Sequence, residues 1–328
     1  MKKLPVVTIM VAARNEENNI LRCLSGLENQ NYPKDKLQIL IGDDDSYDNT
    51  YKLIADFISN KKQFELVKID TFQKGLAGKT NVLVQLAKKA KGEVYLYTDA
   101  DVLVNPNWVS TISKLDGAGI ATGVTIIEGN GLFAQLQSLE WQFTLLVMFL
   151  FSKFNIPITS LGNNLAIRKD AYLEIGGFES VGQSLVEDYT IFKKITQAKF
   201  SFKQYFEVNA LGISKSVNSF AEFLDQRKRW MLGAKQLPWF LQIINYTNAF
   251  YLPFLLIGGL YFGQICLYIW VIRFGVVTFF SLIGIFRLKQ FHNLIAVIFF
   301  DLYLGIIYPV MLLNDLLNTN LKWKDRTY

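Results

Sequence analysis

Cysteine and histidine are nearly missing from this chain of 328 residues, which has two of the first, Cys23 and Cys266, and one of the second, His292. The cysteines stand in unlike contexts, a helical pattern and an apolar run, so no disulfide framework is implied and a reducing compartment is expected. His292 falls between apolar segments and reads as a loop residue rather than a catalyst. The start MKKLPVVTIMVAARNEE turns polar at Arg14 before a signal-peptide core of adequate length and carries no small-residue cleavage site, so it reads as the first strand of a folded domain. No internal repeat, low-complexity linker or nucleic-acid-binding module is evident. The net charge of +6 is scattered or lies beside apolar segments, which fits anionic lipid or phosphate-bearing substrates and argues against nucleic acid as a partner. Charge is itself absent from Gln236 to Ile272 and again from Phe274 to Phe286.

Hydrophobic residues make up 51% of the chain and mean hydropathy is +0.21, with most of the excess after Lys235. The uncharged runs are long enough for two membrane helices, about 243–261 and 264–286, with a turn near Phe262–Gln264, because one crossing needs about 20 residues. A third apolar segment, about 292–314, contains Asp301 and Pro309, and a short basic tail follows at 316–328. Arg273 and Asp301 are costly in lipid and are expected to contact each other. Cations around 227–235 and at Arg287 and Lys289 place both ends of the first hairpin in the cytoplasm, while Lys322, Lys324 and Arg326 leave the third crossing open to a re-entrant alternative. Upstream, the apolar stretch at about 141–154 reads as an interfacial helix.

Residues 1–125 alternate between apolar, β-branched runs and polar helical stretches, the pattern of βαβ units and a mainly parallel sheet flanked by helices. VVTIMVAA, LQILIGDDD, FELVKID and EVYLYTDAD are the strands. The ends of parallel strands point one way, so Ala13-Arg14-Asn15-Glu16, Asp43-Asp44 and Asp99-Ala100-Asp101 converge on one crevice, the outline of a nucleotide pocket. A D-x-D turn suits a hard divalent cation that bridges phosphate oxygens, though alone it occurs in many loops. Carboxylates gathered this densely repel one another and need cations, and Lys79 in GLAGKTN is the candidate.

These motifs, in this order, resemble the inverting family-2 glycosyltransferases of GT-A fold, over roughly residues 5–235, especially members with membrane helices such as cellulose and hyaluronan synthases. VTIMVAARNEENNI resembles the family's opening strand and donor-binding turn, GDDDSYDNT its nucleoside segment, AGKTNVL its lysine loop, and TDAD followed by PNW its metal-binding turn. GNNLAIRKDAYLEIGGF is similar to the acceptor-side segment, Val186-Glu187-Asp188 to the catalytic-base motif, and QRKRW to Q-x-x-R-W.

The resemblance implies a cytoplasmic catalytic domain over 1–235 and a membrane region over 236–315, in an integral protein of a bacterial-type inner or plasma membrane. It implies Asp43 and Asp44 on the nucleoside, and Asp99 and Asp101 on the diphosphate through Mg²⁺ or Mn²⁺. Asp188, with Glu187 beside it, becomes the general base, and Gly162, Asn163, Asn164, Gln226, Arg229 and Trp230 lie along the diphosphate and acceptor. The partners implied are a nucleotide-sugar donor, in the first place a UDP-sugar, a lipid-linked or glycan acceptor, and the bilayer. Asp45 departs from the pattern, standing where the family often has glycine. The many-helix channel of the processive synthases is also missing, which argues against polymer translocation by this chain alone. Two alternatives stay open: a polyprenyl-phosphate glycosyltransferase, and a non-catalytic sugar-binding membrane subunit.

Overall fold

The computed structural model describes residues 4–71, 75–76, 78–182, 184, 186–217, 219–235, 238–317, 322–323 and 326–327. By its internal contacts the chain divides into two units, residues 1–126 with 148–215, and 127–147 with 216–328. The elements in chain order are β1 (Val7–Ala13), α1 (Ile20–Glu28), β2 (Leu37–Asp43), α2 (Thr50–Ile58), β3 (Phe64–Lys68), α3 (Gly78–Lys89), β4 (Val94–Asp99), β5 (Leu103–Val104), α4 (Trp108–Ile112), β6 (Ile120–Thr122) and β7 (Val124–Glu128). They continue as α5 (Gly131–Ser152), β8 (Asn164–Arg168), α6 (Lys169–Glu174), α7 (Glu187–Gln197), β9 (Phe202–Gln204), β10 (Leu211–Lys215), α8 (Phe220–Ala234), α9 (Trp239–Leu288), α10 (Val297–Leu317), β11 (Lys322–Trp323) and β12 (Arg326–Thr327).

The first unit is built on a sheet in the order β3-β2-β1-β4-β8-β6-β9. β3, β2, β1 and β4 run parallel, and β8 joins antiparallel to β4 and β6. Side chains along a strand alternate between faces, and here both faces are covered. Val7, Ile9 and Val11 pack with Ile20, Leu24 and Leu27 of α1 on one side. Met10, Leu40, Tyr95 and Tyr97 pack with Val82, Leu83 and Leu86 of α3 and with Ile191 and Phe192 of α7 on the other. Near-continuous apolar strands follow from this two-sided burial. A side chain at Gly42 would put its Cβ 2.3 Å from Val82 Cγ1, so glycine lets α3 lie against β2.

In the second unit α9 is 50 residues long, about 75 Å at 1.5 Å per residue, far more than the roughly 30 Å hydrocarbon core of a bilayer. The helical path breaks at Phe262 (φ −123°, ψ 20°), and the two halves fold back on each other, with Arg273 Nη1 donating to Asn248 Oδ1 at 2.7 Å. α9 and α10 are each long and apolar enough to cross a membrane, and Leu256, Leu260, Tyr261, Ile272 and Leu302 stand exposed on them. The apolar helix expected from about 141 begins at Gly131, and its sole charged residue, Glu140, is buried. The basic tail falls largely outside the described residues, within which β11 pairs with β12. Both cysteines are free.

Arg273 and Asp301 do meet. The guanidinium Nε donates to Asp301 Oδ1 at 2.8 Å and its carbon lies 3.9 Å from the ring centre of Tyr251, so the half-buried Arg273 compensates the buried Asp301. Arg273→Ala is expected to strand Asp301 and lower the stability of the detergent-purified protein by about 3–5 kcal/mol. The exchange of Arg273→Asp with Asp301→Arg should recover part of that loss in thermal unfolding. A double exchange no more stable than either single change would show that the pair does not act as one.

A candidate glycosyl-transfer site at the strand ends

The strand-end loops are stitched together before any substrate is considered. The backbone N–H of Asp44 donates to the carbonyl of Ala13 at 2.8 Å, and Arg14 donates to the carbonyls of Asp44 and Asp45. Asn15 N donates to Ser46 Oγ at 3.0 Å, Tyr47 N donates to Asn15 Oδ1 at 3.1 Å, and Glu16 N donates to Thr50 Oγ1 at 2.7 Å. Both tips use left-handed backbone, at Asn15 (φ 52°) and Asp45 (φ 57°). That conformation favours glycine and next tolerates asparagine and aspartate, so Asp45 keeps the turn that a glycine would make.

Asp43 is only 2% exposed; its Oδ2 accepts from Ser46 N at 3.2 Å, while Oδ1 is buried without a hydrogen-bond partner. Burial raises its pKa, partly offset by the Ser46 hydrogen bonds. A buried acceptor with nothing to accept from suits an N–H or O–H donor on a base or ribose.

A second cluster forms where β4 ends opposite the start of α7. Lys79, in the first turn of α3, reaches Asp99 Oδ1 at 2.5 Å and Glu187 Oε1 at 3.4 Å. Burial alone would lower the lysine's pKa, but Asp99 and Glu187 outweigh it and hold the ammonium charged. Asp188 Oδ2 accepts from the backbone N–H of Gly162 at 2.8 Å, Oδ1 accepts from its own neighbour Tyr189 N at 2.8 Å, and Ser160 Oγ donates to the Asp188 carbonyl. Burial raises the pKa of both Glu187 and Asp188, against the pull of Lys79 and, for Asp188, of Gly162 N–H. A Cβ at Gly162 would lie 3.3 Å from both Asp188 Cβ and Lys79 Nζ, so glycine keeps the loop close to the acids.

Asp101, past the buried Ala100, accepts from Ser214 Oγ at 3.1 Å on β10. Asp99 and Asp101 are hard oxygen donors of the kind Mg²⁺ and Mn²⁺ take. Among the described residues no group of three or more ligating side chains forms, so a cation held here would draw further ligands from phosphate or water.

Asn163 and Asn164 differ in placement. Asn163 Oδ1 accepts from Thr125 Oγ1 at 3.0 Å. Asn164 is fully buried, its amide oxygen accepting from Trp108 Nε1 at 2.8 Å and its NH₂ donating to the carbonyls of Val124 and Ala210 at 3.0 Å. It therefore supports the floor of the site and has no free polar atom for an acceptor. Gln226, Arg229 and Trp230 lie on α8 in the second unit, where Gln226 Oε1 accepts from Arg227 and Trp230 meets the edge of Trp141 at 4.8 Å between ring centres. Ser160 and Ser214 had no sequence signal, since a serine far from any motif looks like any other.

The sequence model of glycosyl transferase family 21 matches residues 1–328. The chain belongs to that family. It is a glycosyltransferase of the family-2 type, and its sheet is the GT-A sheet. It is similar to the glycosyltransferase AglE of Haloferax volcanii, 26% identical over 271 residues, which are 78% of this chain and 81% of that protein. The probable glycosyltransferase YdaM of Bacillus subtilis is 26% identical over 249 residues, 71% of this chain and 56% of YdaM. Among solved structures, the mannosyltransferase PcManGT from Pyrobaculum calidifontis, in complex with GDP-Man and Mn²⁺, superposes with a TM-score of 0.53 at 19% identity. That match covers 70% of this glycosyltransferase and 61% of PcManGT, and it supports the fold alone.

Asn164→Ala would leave the Trp108 N–H and two carbonyls buried and unpaired. The expected loss is about 2–5 kcal/mol of stability, read as a lower melting temperature, with UDP affinity measured well below that temperature little changed.

Proposed function

We propose that this glycosyltransferase is an integral membrane enzyme, its catalytic domain on the cytoplasmic face within about residues 1–235. It moves a sugar with inversion from a nucleotide sugar, in the first place a UDP-sugar, to a lipid-linked or membrane-proximal glycan acceptor. The observation that carries the chemistry is Asp188, a half-buried carboxylate oriented by two backbone N–H groups and set beside Lys79 and Asp99. The apolar helices α9 and α10, with their exposed leucines and aromatic residues, support the membrane.

In this reading the unpartnered Oδ1 of Asp43 accepts from the nucleoside, with Asp44 and the Arg14 loop beside it. Asp99 and Asp101 would hold Mg²⁺ or Mn²⁺, which when bound neutralises charge on the diphosphate. Lys79 adds a fixed positive charge next to Asp99. The acceptor hydroxyl gives its proton to the Asp188 carboxylate as its oxygen bonds to the anomeric carbon, and the bond from that carbon to the phosphate oxygen breaks on the opposite face. One displacement gives one inversion, and the nucleoside diphosphate leaves with the electron pair. Gln226, Arg229 and Trp230 serve the diphosphate and acceptor side. Arg229 offers a planar fork for phosphate oxygens and Trp230 a face for a sugar.

The test is turnover of a panel of nucleotide sugars by detergent-purified protein with Mn²⁺ or Mg²⁺, reading nucleoside diphosphate release. Asp99→Ala and Asp101→Ala should abolish metal-dependent nucleotide binding, and unchanged binding would remove the assignment of the cation to these residues. Asp188→Asn should slow transfer to a hydroxyl by about 10²–10⁴-fold. A phosphate acceptor needs less help from a base, so a small loss would favour transfer to a polyprenyl phosphate. Because burial raises the Asp188 pKa, the proton stays on to a higher pH than on an ordinary aspartate near 3.9. Activity should therefore fall with decreasing pH through a limb displaced upward from that value, and Asp188→Asn should remove the limb from the pH–rate profile.

A further inference from the structure

α8 carries a buried cation that the site reading leaves without a task. Arg227 is 1% exposed, and each of its three guanidinium nitrogens donates a hydrogen bond. Nε donates to Glu140 Oε1 at 3.0 Å and Nη2 to Glu140 Oε2 at 2.7 Å, a two-pronged pairing, while Nη1 donates to Gln226 Oε1 at 2.5 Å. Its guanidinium carbon lies 4.1 Å from the Trp230 ring centre and 4.2 Å from that of Phe223. Phe223, Arg227 and Trp230 follow one another at helical spacing, so they share one face of α8. On α5 the residue after Glu140 is Trp141, whose ring stands at 84° to that of Trp230. Glu140 Oε2 takes a further hydrogen bond, from the Tyr303 hydroxyl of α10 at 2.7 Å.

We infer that Glu140 and Tyr303 are positioning residues that act through Arg227 to fix the side chains of Gln226 and Trp230. The inference rests on the reading that Gln226 and Trp230 serve the diphosphate and acceptor. A buried ion pair seldom stabilises a fold more than well-packed apolar residues of the same size, so stability is a weak reason for a carboxylate in the middle of an otherwise uncharged helix. What the pair supplies is direction. The planar fork of Arg227 orients the guanidinium in one plane, and that plane sets both the carbonyl oxygen of Gln226 and the ring of Trp230. Tyr303 belongs to an apolar helix long enough to cross a membrane, so the packing of α10 is transmitted through Glu140 to Arg227 and the two side chains it holds.

Tyr303→Phe keeps the ring and removes only the hydroxyl, so it is the variant of choice. Two measurements on the full-length, detergent-purified enzyme test the inference. With 5-fluorotryptophan incorporated, the ¹⁹F signal of Trp230, assigned by Trp230→Phe, should shift or broaden in Tyr303→Phe while that of exposed Trp239 stays in place. An unmoved Trp230 signal overturns the inference without reference to any substrate. The second is a double-mutant cycle on the rate of nucleoside diphosphate release, using whichever of UDP-glucose, UDP-N-acetylglucosamine and GDP-mannose is turned over fastest. Tyr303→Phe is expected to slow the rate roughly tenfold, and in a Trp230→Ala background to slow it less than about twofold further. Additive losses overturn the positioning role and leave the site reading standing. If Trp230→Ala alone changes nothing, Trp230 is not at the site and the inference falls with that reading.

Discussion

A parallel sheet delivers its acids to one edge, and the arrangement is tenable only with a cation among them. Lys79 is that cation, 2.5 Å from Asp99 and 3.4 Å from Glu187, with Asp188 held just beyond by Gly162 N–H. Its own position has a structural cause. α3 begins at Gly78 and lies close against β2 because Gly42 leaves room for Val82, which sets the first turn of α3 above the end of β4. The charge of Lys79 is thus fixed by backbone packing rather than by a mobile surface chain.

The second unit handles charge by the same rule in an apolar setting. Arg273 is matched by Asp301 and Asn248, and Arg227 by Glu140, Tyr303 and Gln226. Each pair joins charges on two different helices, and in each at least one of the two helices is apolar. In such surroundings an unpaired ion is costly, so charge pairing selects which helices lie together. Apolar contact such as that of Phe143 with Phe300 then fills the remaining space but carries little information about orientation.

Much of this was legible in the sequence because the signals are local. β1 to β4 show as apolar runs ending in acids or amides, and the order of those ends along a βαβ pattern implies the converging edge. The Arg273–Asp301 pairing was legible too, since two opposite charges in neighbouring apolar runs have few other partners. Glu140 carried the same kind of signal, a single carboxylate in the 22-residue helix α5, but its partner lies 87 residues away in a stretch that reads as a basic helical rim. What stayed hidden depends on long-range register. Nothing near Ser214 says that it meets Asp101 across 113 residues, and nothing in GNN says that Asn164 turns inward to Trp108 while Asn163 does not.

The inward turn of Asn164 also explains why the loop leading into β8 sits where it does. Its amide ties β8 to the Val124 and Ala210 carbonyls and to the Trp108 ring, and a Cβ at Gly123 would lie 2.0 Å from its oxygen. The loop leading into β8 is therefore anchored at its far end by a buried hydrogen-bond network. Gly162, two residues before that anchor, then presents its N–H to Asp188 at a fixed height. Burial of Asp188 works against its ionised form, and that N–H works for it. The opposing pulls on the Asp188 carboxylate thus meet at a backbone N–H whose loop is anchored by a buried asparagine.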